Sequence, residues 1–419
     1  MIARATRKPG RARDGKDPAR RKRGSFAEAE SHLPPPRSVI GIEAEFTLFV
    51  DDVKRRPEDV FGTPRQLVRE TMIPRTGRSY QLPSGGAIYF DTGVIEVATP
   101  IIELEPGCCY RATHLLWEQI RYVRRELEAW SKQTGRSARL QGFSTHYNFT
   151  FPAARKSAAR NASKFAYLLT HILPAPVALL AANRQSTAVG VRPRGLRFEV
   201  TTDFTPDAAL MLATCGLIAG IVEGGLHWED YAVGQIKRHG IPRPTLLRLR
   251  KHSSRRGWRV LASSLQHNPF TCDPNEPIWK LRDGRHASLR RMAGETMRPF
   301  RREIRRLSDA PTLEHIEAVF AGDARSLLDF SDRPSAYDDV GHGIDWNRRR
   351  IRPWRRSQYE EVIHRVIART PIRIDGKRYI VQRMQGWYEI VFRETKTGAR
   401  RVFNLDELVR LVRTKKGKR

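Results

Sequence analysis

The stretch GIEAEF, residues 41–46, lies inside an apolar segment from residue 39 to residue 50 that predicts a β-strand. Side chains of a strand alternate between two faces, so Glu43 and Glu45 share one face while Ile42 and Ala44 share the other. Two neighbouring carboxylates on a half-buried face repel each other, which destabilises the fold unless a cation or an arginine lies between them. The strand therefore indicates either a cation site or the solvent-facing side of an edge strand.

Two further strand-like segments carry acidic residues in the same way. Asp91 and Glu96 lie on either side of a bend at Gly93, and Arg197 and Glu199 share one face of another predicted strand. Clustered oxygen ligands without cysteine suit a hard cation such as Mg²⁺ or Mn²⁺, which usually shares its coordination shell with substrate phosphates. The pattern therefore predicts phosphate chemistry.

Three other polar residues lie close to these segments. His146 is the polar residue of an apolar strand and shares a face with Asn148, a setting that is more often that of a hydrogen-bonded core histidine than of a ligand. Arg184 follows an apolar helix and enters a loop, where it is either an ordinary surface arginine or a phosphate clamp.

The order of predicted elements indicates a mixed fold of strands and helices. Strands are predicted at 39–50, 86–91, 94–99, 139–151 and 196–203, and helices at 63–72, 109–134, 160–182, 206–224 and 356–368. We expect the segment 242–330 to be mostly helical, and the dipeptide Asp375-Gly376 to form a hairpin turn near the C-terminus.

The composition restricts the class of protein. The 419 residues include 76 Lys and Arg against 45 Asp and Glu, a formal net charge of +31, which excludes the neutral surface of an ordinary cytosolic enzyme. Such a charge attracts any polyanion, but no helix-turn-helix, zinc-finger or RNA-recognition pattern is present, and an arginine-rich compositional bias is an equal explanation. The four cysteines lack metal-ligand spacing, and the longest apolar run, from Ala208 to Val222, is shorter than the roughly 20 residues of a membrane span. We therefore expect a cytoplasmic protein that does not contact a membrane.

Taken together, the segments resemble the carboxylate–amine ligases of the glutamine synthetase and γ-glutamylcysteine synthetase superfamily. Residues 41–49 resemble the G-x-E-x-E-F strand, and residues 145–148 resemble the M-H-x-H segment with Asn148 in place of the second histidine. Residues 183–186 resemble the N-R-S phosphate loop. Residues 197–200 resemble the R-I-E-V-R strand, although Thr201 stands where that motif has its second arginine.

One stretch is similar to a narrower branch, that of the prokaryotic ubiquitin-like protein (Pup) ligase and the Pup deamidase, which are proteasome accessory factors. Residues 85–91, continuing through 96–99, resemble its N-G-A-R-L-Y-x-D…P-E-Y-A-T pattern, with Ala87 or Ile88 at the position of the arginine. Trp387 resembles the tryptophan with which that branch contacts the nucleotide.

The resemblance implies a fold, a cofactor and a set of roles. It implies an α+β fold with a glutamine synthetase-like twisted antiparallel sheet backed by helices, a helical basic region and a small β-rich C-terminal domain. The corresponding domains are a disordered basic tail (1–37), the catalytic core (38–235), a basic helical region that completes it (236–335), and a C-terminal domain with hairpins and a basic tail (336–419). The cofactors are ATP and Mg²⁺. The implied metal ligands are Glu43, Glu45, Tyr89, Glu96, His146 and Glu199, the implied catalytic residues are Asp91, Arg184 and Arg197, and the implied cofactor contacts are Thr99, Asn148 and Trp387.

The implied reaction joins a γ-carboxylate to an amine through an acyl phosphate, with Asp91 as the proton acceptor. The expected partners are a small acidic ubiquitin-like protein or another γ-carboxylate donor, and an amine acceptor. Two alternatives stay open: a deamidase or isopeptidase that uses water at the same site, and a catalytically inactive relative that binds a polyanion such as nucleic acid.

Overall fold

The structure, a computed structural model, describes residues 37–152, 158–250, 252–342 and 355–416. The N-terminal tail predicted at 1–37 lies outside the described residues apart from its last residue, and so do residues 417–419. The basic C-terminal tail is part of a helix up to Lys416.

The largest element is an eleven-stranded sheet. Its strands are β1 (Val39–Val50), β2 (Val53–Arg55), β3 (Ile73–Pro74), β4 (Tyr80–Gln81), β5 (Ala87–Asp91), β6 (Val94–Ala98), β7 (Ile102–Glu103), β8 (Ala138–Thr150), β9 (Ala188–Arg194), β10 (Arg197–Asp203) and β11 (Trp258–Leu261). Their spatial order is β11-β9-β10-β8-β1-β6-β5-β4-β3, and β2 and β7 pair with the two ends of β1. The pairs along this order are antiparallel, which confirms the predicted α+β class.

Helices form the main core together with one face of this sheet, and two of them belong to a second core at the C-terminus. The helices are α1 (Pro57–Phe61), α2 (Pro64–Leu67), α3 (Cys108–Thr134), α4 (Ala158–Ile172), α5 (Pro174–Ala181), α6 (Ala208–Leu226), α7 (Gly234–Arg238), α8 (Leu289–Met297), α9 (Arg301–Leu307), α10 (Ala310–Ala321), α11 (Gln358–Ile367) and α12 (Leu405–Lys416). On β1, Ile42, Ala44 and Phe46 are fully buried in the core, whereas Glu43 and Glu45 on the opposite face keep some exposure. The predicted alternation is therefore confirmed along this strand.

Three predicted helical segments differ from the structure. The helix expected at 160–182 is divided into α4 and α5, because Pro174 has no amide hydrogen to continue the first helix and instead begins the second. Of the helix expected at 63–72, only α2 forms. The segment 242–330 is helical only from Leu289, since the residues of β11 pair with β9, and the short strands β12 (Trp279–Lys280) and β13 (His286–Ala287) pair with each other.

A bulge divides β8 into two parts. Glu45 pairs with Ser144 whereas Phe46 pairs with Gly142, so Phe143 is an extra residue and its side chain is 55% exposed. Because of the extra residue, even-numbered residues of β8 face the core before the bulge, whereas odd-numbered residues face it after the bulge. Glycine is required next to it, because a Cβ atom at position 142 would lie 2.4 Å from the ring of Phe204.

Helix α6 is the central helix of the core. By length and composition it could cross a membrane, but 83% of its most apolar window is buried inside the fold. Gly216, Gly220 and Gly224 form a stripe along one side of α6, and a Cβ atom at position 220 would lie 2.3 Å from Ile304 of α9. The two helices therefore approach each other more closely than larger side chains would permit.

The C-terminal part of the chain forms a second, smaller core. A four-stranded antiparallel sheet contains β14 (Ile372–Ile374), β15 (Lys377–Gln385), β16 (Glu389–Glu394) and β17 (Arg400–Asn404), and packs with α11 and α12. The hairpin turn at Asp375 and Gly376 is confirmed, with φ angles of 50° and 75° as in a type I′ turn. Val39 of β1 and Ile73 of β3 also belong to this core, so it contacts the main sheet directly.

A buried ion pair connects the two cores. Arg111 of α3 donates from Nε to Oε2 of Glu360 on α11 at 2.7 Å, and the two residues are only 7% and 6% exposed. Arg111 also donates to Glu105 at 3.0 Å. Because both charges are removed from water, each depends on the other for compensation.

We predict that Arg111→Ala lowers the free energy of unfolding by about 3–5 kcal/mol, because it leaves Glu360 charged and buried without its partner. Urea denaturation measures the change. The matched control is Glu361→Gln, which breaks the half-exposed pair with Arg365 on the same helix and should change stability by less than about 0.5 kcal/mol. Equal effects of the two variants would contradict the assignment of Arg111 as the connection between the cores.

Candidate active site

The acidic residues predicted from sequence lie on one face of the four central strands β8, β1, β6 and β5. Residues directly opposite each other in neighbouring strands share a face, and the pairing places His146 beside Glu43. In the next row, Glu45 lies between Ser144 on one side and Glu96 on the other. Tyr89 follows Glu96 in that row. The opposite face of the same strands carries the hydrophobic core.

Glu43, Glu96 and His146 form a compact cluster. Each offers one ligand atom, and these three atoms lie within 4.8 Å of one another. His146 Nδ1 is 3.7 Å from Glu43 Oε2, and His146 Nε2 is 4.0 Å from Glu45 Oε1. Ser144 donates to Glu45 at 2.6 Å. The Tyr89 hydroxyl donates to Glu96.

The carboxylates perturb one another strongly. Burial raises the pKa of Glu96 well above its usual value, and the charges of Glu43 and Glu45 raise it further. For Glu43, burial is outweighed by the hydrogen bond from His146 and the charge of Arg197, which together lower its pKa to about 2. The largest contributions to the raised pKa of Glu96 come from burial and from other carboxylates. This carboxylate is therefore the one that a bound cation would relieve most.

Burial alone would lower the pKa of His146, but the surrounding carboxylates raise it to about 9. The hydrogen bond with Glu43 has the larger effect, followed by the charges of Glu45 and Glu199. In the absence of a metal ion, the protonated imidazole thus supplies positive charge among the carboxylates.

The neighbouring strands β9 and β10 carry cations on the same face. Glu199 of β10 forms ion pairs with Arg192 and with Arg194 of β9, the second at 3.6 Å. Arg197 of β10 donates to Asn148 Oδ1 at 3.4 Å. Glu199 is therefore already neutralised by arginines in this structure, unlike Glu96.

Asp91 lies at the end of β5, directly before a turn with positive φ at Thr92 and Gly93. Its Oδ1 atom is buried without a hydrogen-bond partner, and burial together with the charge of Glu45 raises its pKa. Asp91 is thus a carboxylate on the same face with an oxygen free to accept a proton.

Three predicted site residues have other partners here. The Arg184 guanidinium donates to the carbonyl oxygens of Phe330, Phe270 and Cys272, so it joins loops rather than facing the carboxylates. Because carbonyl oxygens already bind the Arg184 guanidinium, we do not assign a phosphate contact to this residue.

Thr99 is buried and accepts a hydrogen bond from the amide of Ile42 at 3.0 Å. Trp387 lies in the turn between β15 and β16, and the guanidinium carbon of Arg75 is 4.0 Å from the centre of its ring. Among the residues that the structure describes, neither side chain is hydrogen-bonded to the carboxylate cluster.

Sequence reasoning missed Asp203 and its hydrogen-bond partner Ser186. Asp203 lies opposite Ser144 in the sheet and therefore on the face of the site. The Ser186 hydroxyl donates to it. Burial raises the pKa of Asp203 to about 7, against the opposing charge of Arg333. A signal for Asp203 was available in the sequence. Asp203 follows Glu199 by an even number of residues, so the alternation of side chains along the strand places both on one face.

The residues fit a hard divalent cation. The ligand set consists of carboxylate oxygens and one imidazole nitrogen without a thiolate, which suits Mg²⁺ or Mn²⁺. Buried polar atoms without hydrogen-bond partners, Asp91 Oδ1 and Asn148 Nδ2, lie on the same face. Such atoms indicate that further ligands or substrate groups belong in this space.

No family model and no curated protein matches the chain. Among solved structures, the chain is similar to the crystal structure of the complex between the prokaryotic ubiquitin-like protein Pup and its ligase PafA. The similarity covers 90% of this chain and 92% of that chain, with 12% sequence identity and a TM-score of 0.48. At this identity and TM-score it supports no statement about activity, so the function has to be inferred from the residues of the site.

We predict that Glu96→Gln abolishes stabilisation by metal. In metal-free protein the free energy of unfolding should stay within about 1 kcal/mol of wild type or rise, because the glutamine amide is neutral, like the protonated carboxyl group that the raised pKa of Glu96 favours. Thermal unfolding with and without MnCl₂ should show an increase in Tm for the wild type and for the control Glu229→Gln, whose side chain is 81% exposed, but not for Glu96→Gln. If MnCl₂ does not change the Tm of the wild type, these carboxylates have a structural role and do not bind metal.

Asp203 should make stability depend on pH. In the unfolded chain its carboxyl group ionises near pH 4, whereas in the folded state it ionises at about pH 7. The folded state therefore holds the extra proton between these values and loses stability as the pH rises through that window. From pH 5 to pH 7.5, we expect Asp203→Asn to gain about 1–3 kcal/mol relative to the wild type in urea denaturation. Parallel pH curves for the two proteins would refute this.

Proposed function

We propose that this protein is an ATP- and Mg²⁺-dependent carboxylate–amine ligase of the Pup ligase type. The observation that carries the proposal is the cluster of Glu43, Glu96 and His146, with the arginines of β9 and β10 on the same face. A site for a hard cation beside a site for anions is what a metal-bound polyphosphate requires. The order of the superfamily motifs along the sequence supports the same conclusion.

Glu43, Glu96 and His146 hold the metal ions, with Tyr89 and Glu45 next to them in the same row. When bound, the ions neutralise charge on the γ-phosphate and make it susceptible to attack. The protein's own contribution is to position these groups on rigid central strands, where they need not reorganise during the reaction. Ser144 fixes the orientation of the Glu45 carboxylate.

Arg197 binds the phosphate that is transferred. Its half-buried side chain belongs to β10, the strand between β8 and the arginine-bearing β9, and its charge already acts on Glu43. A substrate γ-carboxylate attacks the γ-phosphorus of ATP, ADP leaves, and an acyl phosphate forms. The positive charge of Arg197 stabilises the three phosphate oxygens during this step.

Asp91 accepts the proton of the amine. The amine nitrogen attacks the acyl carbon, its proton passes to the carboxylate of Asp91, and inorganic phosphate leaves with the electrons of the broken C–O bond. The free Oδ1 atom and the raised pKa of Asp91 both favour this role, because a base must be unoccupied and basic enough to take the proton.

The adenine ring would stack near Trp387. Arg75 already stacks against this indole and donates to the carbonyl of Gly386 at 3.1 Å, which holds the turn against the edge of the main sheet. The C-terminal domain would in this way contribute to the nucleotide site, while Asn148 on the site face of β8 would line its floor.

The substrate that donates the γ-carboxylate is an acidic one, such as a small ubiquitin-like protein, and the acceptor is an amine such as a protein lysine. The net charge of +31 attracts acidic partners from a distance. Nucleic acid is a weaker candidate, because its phosphates would meet the carboxylates of the site without the metal ions that ATP brings. The four free cysteines fit the reducing cytoplasm, where we place the reaction.

The deciding experiment is Asp91→Asn, assayed for Mg·ATP affinity and amide formation on the same sample. If Asp91 is the base, affinity stays near that of the wild type while amide formation falls by about 10²-fold or more. The control Asp52→Asn changes an 86% exposed carboxylate on the neighbouring turn and should leave both values unchanged.

Other outcomes identify other roles. Parallel loss of affinity and turnover would make Asp91 a metal ligand. Near-normal turnover with a stability loss of about 1 kcal/mol would reduce it to a turn residue. Amide hydrolysis without ATP consumption in the wild type would contradict the ligase and support the deamidase.

A further inference from the structure

The arginine side of the site contains more positive charge than its described carboxylates neutralise. Arg192 and Arg194 bind Glu199, and Arg197 donates to Asn148. Arg259 of β11, at the edge of the same sheet, forms no ion pair or hydrogen bond with any residue that the structure describes.

The pairing places Arg259 in the same row as the metal cluster. Arg259 lies opposite Gly190 of β9, which lies opposite Thr201 of β10, which lies opposite His146 of β8. Directly opposite residues share a face, so Arg259 lies on the face of the site. The neighbouring Trp258 points away from it and packs against Tyr167 of α4, with ring centres 5.3 Å apart.

Between Arg259 and Thr201 the sheet has no obstructing side chain. A Cβ atom on Gly190 would lie 3.6 Å from Thr201 Cβ and 3.7 Å from Arg259 Cγ, so the Arg259 side chain passes beside the space that Gly190 leaves open. Thr201 is the position at which the ligase motif has its second arginine. In this row the motif places a cation on β10, where this chain has Thr201. The cation of the row is instead Arg259 on β11, two strands further along the sheet.

The charges around Arg259 indicate that an anion binds in this region. Burial lowers the pKa of its guanidinium, and the charges of Arg256 and Arg250 lower it further, with no carboxylate among the groups that act on it. Arg255, on the turn before β11, extends this positive field toward Asp91. An anion in this space would compensate three or more like charges at once.

We propose that Arg259 binds the phosphate chain of the nucleotide, replacing from β11 the positive charge that Thr201 does not provide. This inference rests on the proposed function, because it assigns one more residue to the same nucleotide site. The ligand chemistry is a polyphosphate with its divalent cation, bound between Arg259 and the metal cluster along one row of the sheet.

The test measures binding rather than turnover. Isothermal titration calorimetry of the full-length protein with Mg·ATP and with Mg·tripolyphosphate should show a 10-fold or greater loss of affinity for both in Arg259→Gln. The double variant Thr201→Arg/Arg259→Gln should recover most of the affinity, because the charge returns to the same row two strands away. Arg302→Gln, which removes one charge from a 91% exposed side chain on α9, should bind like the wild type. Arg259→Lys keeps the charge and serves as the second variant if Arg259→Gln is unstable.

The outcomes separate this inference from the proposed function. If the wild type binds Mg·ATP and Arg259→Gln binds it equally well, the inference is overturned and the ligase proposal stands. If the wild type binds Mg·tripolyphosphate but not Mg·ATP, the ligase proposal fails, while the effect of Arg259→Gln on tripolyphosphate still decides the role of Arg259. If the wild type binds neither probe, both are overturned.

Discussion

Repulsion among the carboxylates of Glu43, Glu45 and Glu96 is the constraint around which this fold is organised. All three lie on central strands, where neighbouring strands on both sides prevent the side chains from separating. The opposite face of β1 offsets the unfavourable charge by burying Ile42, Ala44 and Phe46 completely. A protein keeps such an arrangement when a cation or a substrate neutralises it, so the crowding is better explained by function than by stability.

The face of the site has an electrical polarity across the sheet. Carboxylates without an arginine partner occupy β1, β5 and β6, and β8 follows them with His146 and Asn148. Arginines occupy β9, β10 and β11, where β10 also carries Asp203 and the arginine-paired Glu199. The acidic side suits metal ions and the basic side suits phosphate oxygens, so a metal–polyphosphate complex matches both halves in one orientation. A nucleic acid would fit this face poorly, because its phosphates do not carry metal ions at fixed positions that could neutralise the acidic half.

Sequence alone could predict the central strands and the shared face of Glu43 and Glu45, because the alternation of apolar and acidic residues has a physical period. The grouping of these residues with Glu96 and His146 followed only from the resemblance to the ligase superfamily. The sequence could not predict the bulge at Phe143, since an extra residue shifts that period without leaving a mark in composition. The sequence also could not predict that Arg259 belongs to the site, because its place there comes from the pairing of β11 with β9 and not from any local pattern. Arg184 was assigned to phosphate because a loop arginine can bind carbonyl oxygens or anions equally well, and only the folded structure distinguishes them.

The wide separation along the chain of residues that meet in the site bears on how the protein folds. In the site, Ser144 and Glu45 are hydrogen-bonded across 99 residues of sequence, and between the two cores Arg111 and Glu360 are hydrogen-bonded across 249. Contacts of such high order form late, because long loops must close before the pairing strands gain anything. The carboxylates and His146 therefore come together only when the whole sheet is complete, and binding at the proposed metal site would report the final folding step.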